Sequence, residues 1–212
     1  MKVKRMVILA MLAAMAYLLV CVVRIPVVLF LSYEPKDVVI TVGGFLFGPM
    51  ASLVVSAVVS LVEMFTISQT GPVGCIMNLL STCAFACTAA AVYKKKRTLI
   101  GAVVGLCLGA AVMTGAMLLW NWLVTPLYMG VERQAVEAML IPAFLPFNLL
   151  KAGLNTALTL AVYKPLVTAL RKVRLLEPQF QNAGASKVGV YLLAVALLIT
   201  CILLLLVFQG KL

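Results

Sequence analysis

The chain contains no histidine, so the commonest general base and metal ligand of proteins is missing. Acidic residues are almost as scarce, six Asp and Glu in 212 positions. No Walker A sequence, GxSxG elbow or close carboxylate constellation occurs. An intramembrane hydrolase or lipid transferase normally needs such groups, so the chain reads as a non-enzyme with neither metal nor resident cofactor. One catalytic route stays open, Lys151 as an amine nucleophile, but no partner base accompanies it. The six cysteines (Cys21, Cys75, Cys83, Cys87, Cys107 and Cys201) lie in or beside apolar runs and include no CxxC pair. They read as small buried hydrophobes rather than a redox or metal site.

What the chain does have is apolar length. Hydrophobic residues make up 65% of it and charged residues 11%, with a mean hydropathy of +1.18. A soluble domain carries about a quarter charged residues; this composition, in several long runs, specifies an all-α integral membrane bundle. The start, Met1-Lys-Val-Lys-Arg5 before an apolar run, has the shape of a signal peptide. The run continues to about Arg24 without a small-residue cleavage site, so it is read as the first spanning helix.

The net charge of +11 reports topology rather than a nucleic-acid partner. Twelve of the seventeen Lys and Arg fall in three groups, at Lys2, Lys4 and Arg5, at Lys94–Arg97, and from Lys164 to Lys187. Alternating helices put all three on one side, which by the positive-inside rule is cytoplasmic, and the N-terminus with them. Glu34, Asp37, Glu63, Glu132 and Glu137 fall on or near the opposite side. The basic side suits anionic lipid.

In chain order, a first helix is expected over 5–30, where Ala10 and Ala14 make a small-xxx-small pair. That pair serves either internal packing or docking of a partner helix. An outer loop follows at 31–37, with Glu34 and Asp37 either capping the next helix or closing a pocket mouth. Helix 2, about 37–47, is too short to cross, since eleven residues rise only about 16 Å. Helix 3 runs about 49–66, with Glu63 expected in solvent near its outer end. After the turn Ser68–Gly74, helix 4 covers about 73–93, with Asn78 read as a helix-to-helix hydrogen bonder in preference to a ligand contact. Helix 5, about 98–125, carries Gly101, Gly105 and Gly109 as a packing seam, then Asn121 between Trp120 and Trp122. A polar linker at 175–187 leads to a seventh apolar run, 188–208, facing lipid or capping the bundle.

Helix 6, opening at Ile141 and running to Tyr163, is the most informative stretch. It is apolar and long enough to span, yet Asn148, Lys151 and Asn155 recur at i, i+3 and i+7, on one face. A lysine inside a spanning helix costs roughly 2.5–3.5 kcal/mol on insertion scales and so needs a partner or a wet cavity. Asn121, Asn148 and Lys151 together offer amide donors, amide acceptors and a cation among apolar walls. A heteroaromatic ring with an imide-like edge matches that set; polar glue between helices is the other reading.

Several segments occur together and in order: Tyr33-Glu-Pro-Lys-Asp37, Gly43-Gly-Phe-Leu-Phe-Gly-Pro49, Thr70-Gly-Pro-Val-Gly74 and Leu119-Trp-Asn121. Pro146-Phe-Asn-Leu-Leu-Lys-Ala-Gly-Leu-Asn155 and Tyr163-Lys-Pro165 complete the set. In these the chain resembles the riboflavin-specific substrate-binding (S) components of energy-coupling factor (ECF) transporters, over about residues 5–174. The resemblance implies a six-helix membrane domain at 1–174 that captures riboflavin, as transported ligand, from outside. It implies that Asn121, Asn148 and Lys151 contact the ring and that the loop around Glu34 and Asp37 helps close the site. It also assigns Ala10 and Ala14 to docking a transmembrane coupling subunit, which works with two cytosolic ATPases. The helix at 188–208 is extra to that pattern and puts the C-terminus outside. The alternatives are an S component for another vitamin and a self-contained secondary transporter. The second is disfavoured because no inverted repeat is evident.

Overall fold

A computed structural model describes residues 2–28, 31–68, 70–172 and 187–208. Helix α1 (Lys2–Val22) buries Ile8, Leu12, Ala16 and Val20, a stripe at every fourth residue, against α2 (Lys36–Phe47) and α3 (Pro49–Thr66). Its other face, with Met6, Met11, Met15 and Leu18, is exposed. The helix ends earlier than the expected residue 30. Pro26 lacks an N–H and pushes Ile25 out of helical space, and the β-branched residues around it suit extended chain. Strand β1 (Ile25–Val28) and strand β2 (Leu31–Tyr33) pair antiparallel there, with Ile25 opposite Tyr33. The expected first loop is therefore in part a two-stranded ribbon.

Helix α2 has 12 residues, a rise of about 18 Å, too little to cross a bilayer. It is enclosed by α1, α3, α4 (Gly71–Lys95) and α7 (Leu145–Lys172). Gly48, at φ 93°, turns the chain directly into α3, a conformation that a Cβ would strain. Pro49 then opens α3, where no amide hydrogen is needed.

Helices α4 and α5 (Leu99–Met129) form the tightest seam. A Cβ on Gly105 would sit 2.7 Å from the Ala89 carbonyl oxygen, and one on Gly109 would sit 2.6 Å from that of Phe85. Glycine is required because the two backbones touch. Gly101 has a different role from the expected one, lying against the Lys96 carbonyl in the turn between the helices. Around the seam lie the fully buried Phe85, Ala89, Leu106 and Met113.

The expected outer loop after α5 is helical. Helix α6 (Arg133–Met139) runs into a π-helical turn (Leu140–Phe144) and then into α7. Pro142 lies in the π turn and Pro146 just inside α7, where missing N–H groups loosen the ladder. Helix α8 (Lys187–Phe208) packs along α7 and touches β1, with Ile199 and Leu203 exposed. It thus both caps the bundle and presents an apolar outer face. A Cβ on Gly153 of α7 would meet the Cys201 sulfur at 2.6 Å. The linker expected at 175–187 lies almost wholly outside the described residues. Among the described residues five helical spans are long and apolar enough to cross a membrane, and α8 contributes a shorter apolar stretch, Ala194–Val207. The chain is a multi-pass membrane protein.

Candidate ligand-binding cleft

A cleft of about 670 Å³, its solvent-open mouth included, opens between the β-ribbon and α3, α4, α5 and α7. Three side chains expected from the sequence, Asn121, Asn148 and Lys151, all line it although they come from two helices. Helix α5 brings Asn121, whose amide is oriented by its own helix. Its Nδ2 donates to the Met117 carbonyl (2.8 Å) and its Oδ1 accepts from the Thr125 hydroxyl (3.0 Å). Asn148 is oriented likewise, Nδ2 donating to the Phe144 carbonyl at 2.7 Å. Phe144 is the last residue of the π turn, so the end of that turn orients the amide. Met77, Met117 and Phe147 supply apolar wall beside these groups.

Lys151 is 6% exposed and obtains the partner its burial demands from Asp37, with Nζ 3.4 Å from Oδ2. It also donates to the Ser81 hydroxyl at 3.3 Å. Asp37 itself does not line the cleft. It is fully buried behind it, accepting from Thr82 (2.6 Å) and from the Asn155 amide (3.0 Å). Asn155 in turn accepts from the Tyr33 hydroxyl at 3.1 Å. So Asn155 shares the stripe of Asn148 and Lys151 but braces Asp37 instead of facing the cleft. Asp37 does not cap α2 either, since the N-cap residue is Pro35 and no side chain closes the first turn.

Glu34 lines the cleft from the end of β2. Its Oε1 lies 3.4 Å from Arg24 Nε and its Oε2 2.8 Å from Lys36 Nζ. Glu63, expected in solvent, is 3% exposed and also lines the cleft. It accepts from Lys36 Nζ at 2.7 Å through Oε1 and from the Asn78 amide at 3.1 Å through Oε2. Glu63 is buried because α2 is too short to cross, so its first residue, Lys36, lies level with the end of α3 that carries Glu63 and inserts a cation beside it. Asn78 is the interhelical hydrogen bonder its position predicted. Lys36 escaped the sequence reading, although a lysine opening a short apolar helix next to an aspartate was a visible signal. Ala10 and Ala14 lie far from these groups in the chain and are exposed on the outer face of α1, not packed inside the bundle. The cysteines form no metal-binding group among the described residues.

Comparison with known proteins adds the family. A family model for the substrate-specific component of ECF transporters matches residues 4–163. The chain is 28% identical over 179 residues to the riboflavin transporter RibU of Staphylococcus aureus, covering 80% of this chain and 94% of that protein. It is 27% identical over 190 residues to the riboflavin transporter FmnP of Bacillus subtilis, covering 82% of this chain and all of that protein. A solved S component of a bacterial ECF transporter superposes with a TM-score of 0.68 at 28% identity, covering 81% of this chain and 99% of that one. The ribbon, the enclosed short helix and the cleft beneath them therefore sit in a chain that belongs to the family of substrate-specific components of ECF transporters.

Proposed function

We propose that this chain binds riboflavin with high affinity at the outer face of the membrane and delivers it inward as the S component of an ECF importer. The observation that carries the reading is the convergence of Asn121, Asn148 and Lys151 on one cleft with Phe147, Met77 and Met117. Amides and an ammonium there match the imide edge of an isoalloxazine, and the apolar and aromatic walls match its rings. That two similar chains are named riboflavin transporters supports the same ligand. Asp37 acts behind the cleft through Lys151, and Glu34 closes it from the ribbon. The N-terminus is cytoplasmic, on the side of the Lys94–Arg97 cluster.

The exposed Ala10 and Ala14 face of α1 docks the transmembrane coupling subunit, because small residues let a second helix approach closely. ATP hydrolysis belongs to two cytosolic ATPase partners, consistent with the missing P-loop. The residues 1–174 form the substrate domain, and α8 is an addition to it.

The test is purification in detergent without added ligand, followed by a riboflavin titration and a competition panel of other vitamins. Co-purifying flavin near one per chain, or saturable riboflavin binding, is the expected result. No riboflavin binding, with tight binding of another vitamin, moves the same architecture to that substrate.

A further inference from the structure

Six charged side chains gather about the cleft in balance, Arg24, Lys36 and Lys151 against Glu34, Asp37 and Glu63. Lys36 and Asp37 are adjacent in sequence and fully buried, and neither lines the cleft. Each nevertheless holds cleft-lining groups of the opposite charge. Asp37 pairs with Lys151, while Lys36 pairs with both Glu34 and Glu63. The dipeptide at the start of α2 therefore polarises the cleft. One part presents a cation and amides; the other presents two carboxylates.

Glu34 and Glu63 belong to different elements and carry like charges, so without a cation between them they repel. Lys36 Nζ reaches Glu34 Oε2 at 2.8 Å and Glu63 Oε1 at 2.7 Å, which spends its donors entirely on these two groups. The carboxylates keep acceptor capacity, since each offers about four lone-pair sites. Ser32, Ser68 and Thr70 also line the cleft. A wall of carboxylates and hydroxyls suits hydroxyl donors rather than a flat apolar ring.

We propose that Lys36 is a positioning residue for substrate selection, holding Glu34 and Glu63 together as an acceptor wall that recognises a polyhydroxylated side chain on the bound heterocycle. This rests on the riboflavin reading and assigns the ribityl chain to that wall. Lys36 touches no ligand and acts only through the two carboxylates.

The experiment compares riboflavin with lumiflavin, which keeps the ring and replaces the ribityl chain with a methyl group. Dissociation constants for both are measured by fluorescence quenching on the purified full chain, wild type and Lys36→Met. The double variant Lys36→Met/Glu63→Gln accompanies them, removing a cation and an anion together so that no carboxylate is stranded in the core. Loss of charge-assisted hydrogen bonds predicts riboflavin affinity falling by about tenfold or more in both variants, with lumiflavin affinity within about twofold of wild type. Should the single variant fail to fold, the double variant gives the ratio. Equal losses for both ligands would mean that Lys36 is only structural, and an unchanged preference for riboflavin would equally overturn the proposal. A wild-type chain that binds neither flavin defeats the riboflavin reading itself, and is distinguished because the loss then precedes any substitution.

Discussion

The seam between α4 and α5 and the cleft among the ribbon, α3 and α7 are both buried, yet they are built in opposite ways. At the seam, Gly105 and Gly109 remove side chains so that backbones touch, and Phe85, Leu106 and Met113 fill the rest. In the cleft, charged and amide groups meet in pairs, Lys151 with Asp37, Lys36 with Glu34 and Glu63, and Asn78 with Glu63. Lipid offers no hydrophobic drive between helices, so close backbone contact holds the seam. The cleft instead carries groups whose burial is costly unless paired. Substitutions in the two regions should therefore differ in kind: those at the seam act on packing alone, whereas those at a buried ion pair of the cleft act on stability and on the proposed riboflavin binding together.

The largest effect is expected at Lys151. Lys151→Ala leaves Asp37 buried without its cation, and breaking a buried pair from one side costs about 3–5 kcal/mol. Thermal unfolding in detergent should fall sharply and riboflavin binding should vanish together with it. Asn148→Ala, which leaves no stranded charge, sharpens the point by removing binding with a much smaller loss of stability. Retained riboflavin affinity in both variants would show that the cleft is not the binding site.

Next comes the seam. Gly109→Val forces a Cβ into the Phe85 carbonyl, and overpacking of this kind costs about 1–3 kcal/mol. Unfolding should shift while riboflavin affinity in the surviving folded fraction stays within about threefold, a change below 1 kcal/mol. A selective loss of affinity would break the separation of the two regions.

A smaller change is expected at Thr125, whose hydroxyl orients Asn121. Thr125→Val removes one buried hydrogen bond, about 1 kcal/mol, and should weaken riboflavin binding by about fivefold with the ring contacts otherwise kept. A titration resolves this.

The smallest effect on the isolated chain belongs to α1. Ala10→Trp or Ala14→Trp alters only an exposed face, so binding and unfolding should match the wild type. Uptake by cells carrying the whole transporter should nevertheless be lost, because the coupling subunit can no longer approach. Normal uptake would return the pair to ordinary surface positions.

These regions also differed in how far the sequence disclosed them. The glycines recur at intervals of four, a local period that survives any tertiary arrangement, and two of the three do pack as that period predicts. Asn148 and Lys151 were legible for a similar reason, polar residues on one face of a spanning segment. The end of α1 was not, because hydropathy continues past Val22 while Pro26 and its β-branched neighbours redirect the backbone. Nor was Glu63. Its place near a helix end suggests solvent, and only the position of α2 beside it supplies Lys36.

The sequence by itself determined the membrane class and the apolar spanning helices, and it marked Asn121, Asn148 and Lys151 as polar groups within them, because these follow from hydropathy, periodicity and side-chain chemistry within one segment. Tertiary structure alone decided which charges pair, that Asp37 and Asn155 brace rather than line the cleft, and that Ala10 and Ala14 face outward. Ion pairing depends on distances of a few ångström between segments distant in the chain, such as Lys36 with Glu63 at 2.7 Å and Asp37 with Lys151 at 3.4 Å. No local period encodes those distances; only the packed helices set them.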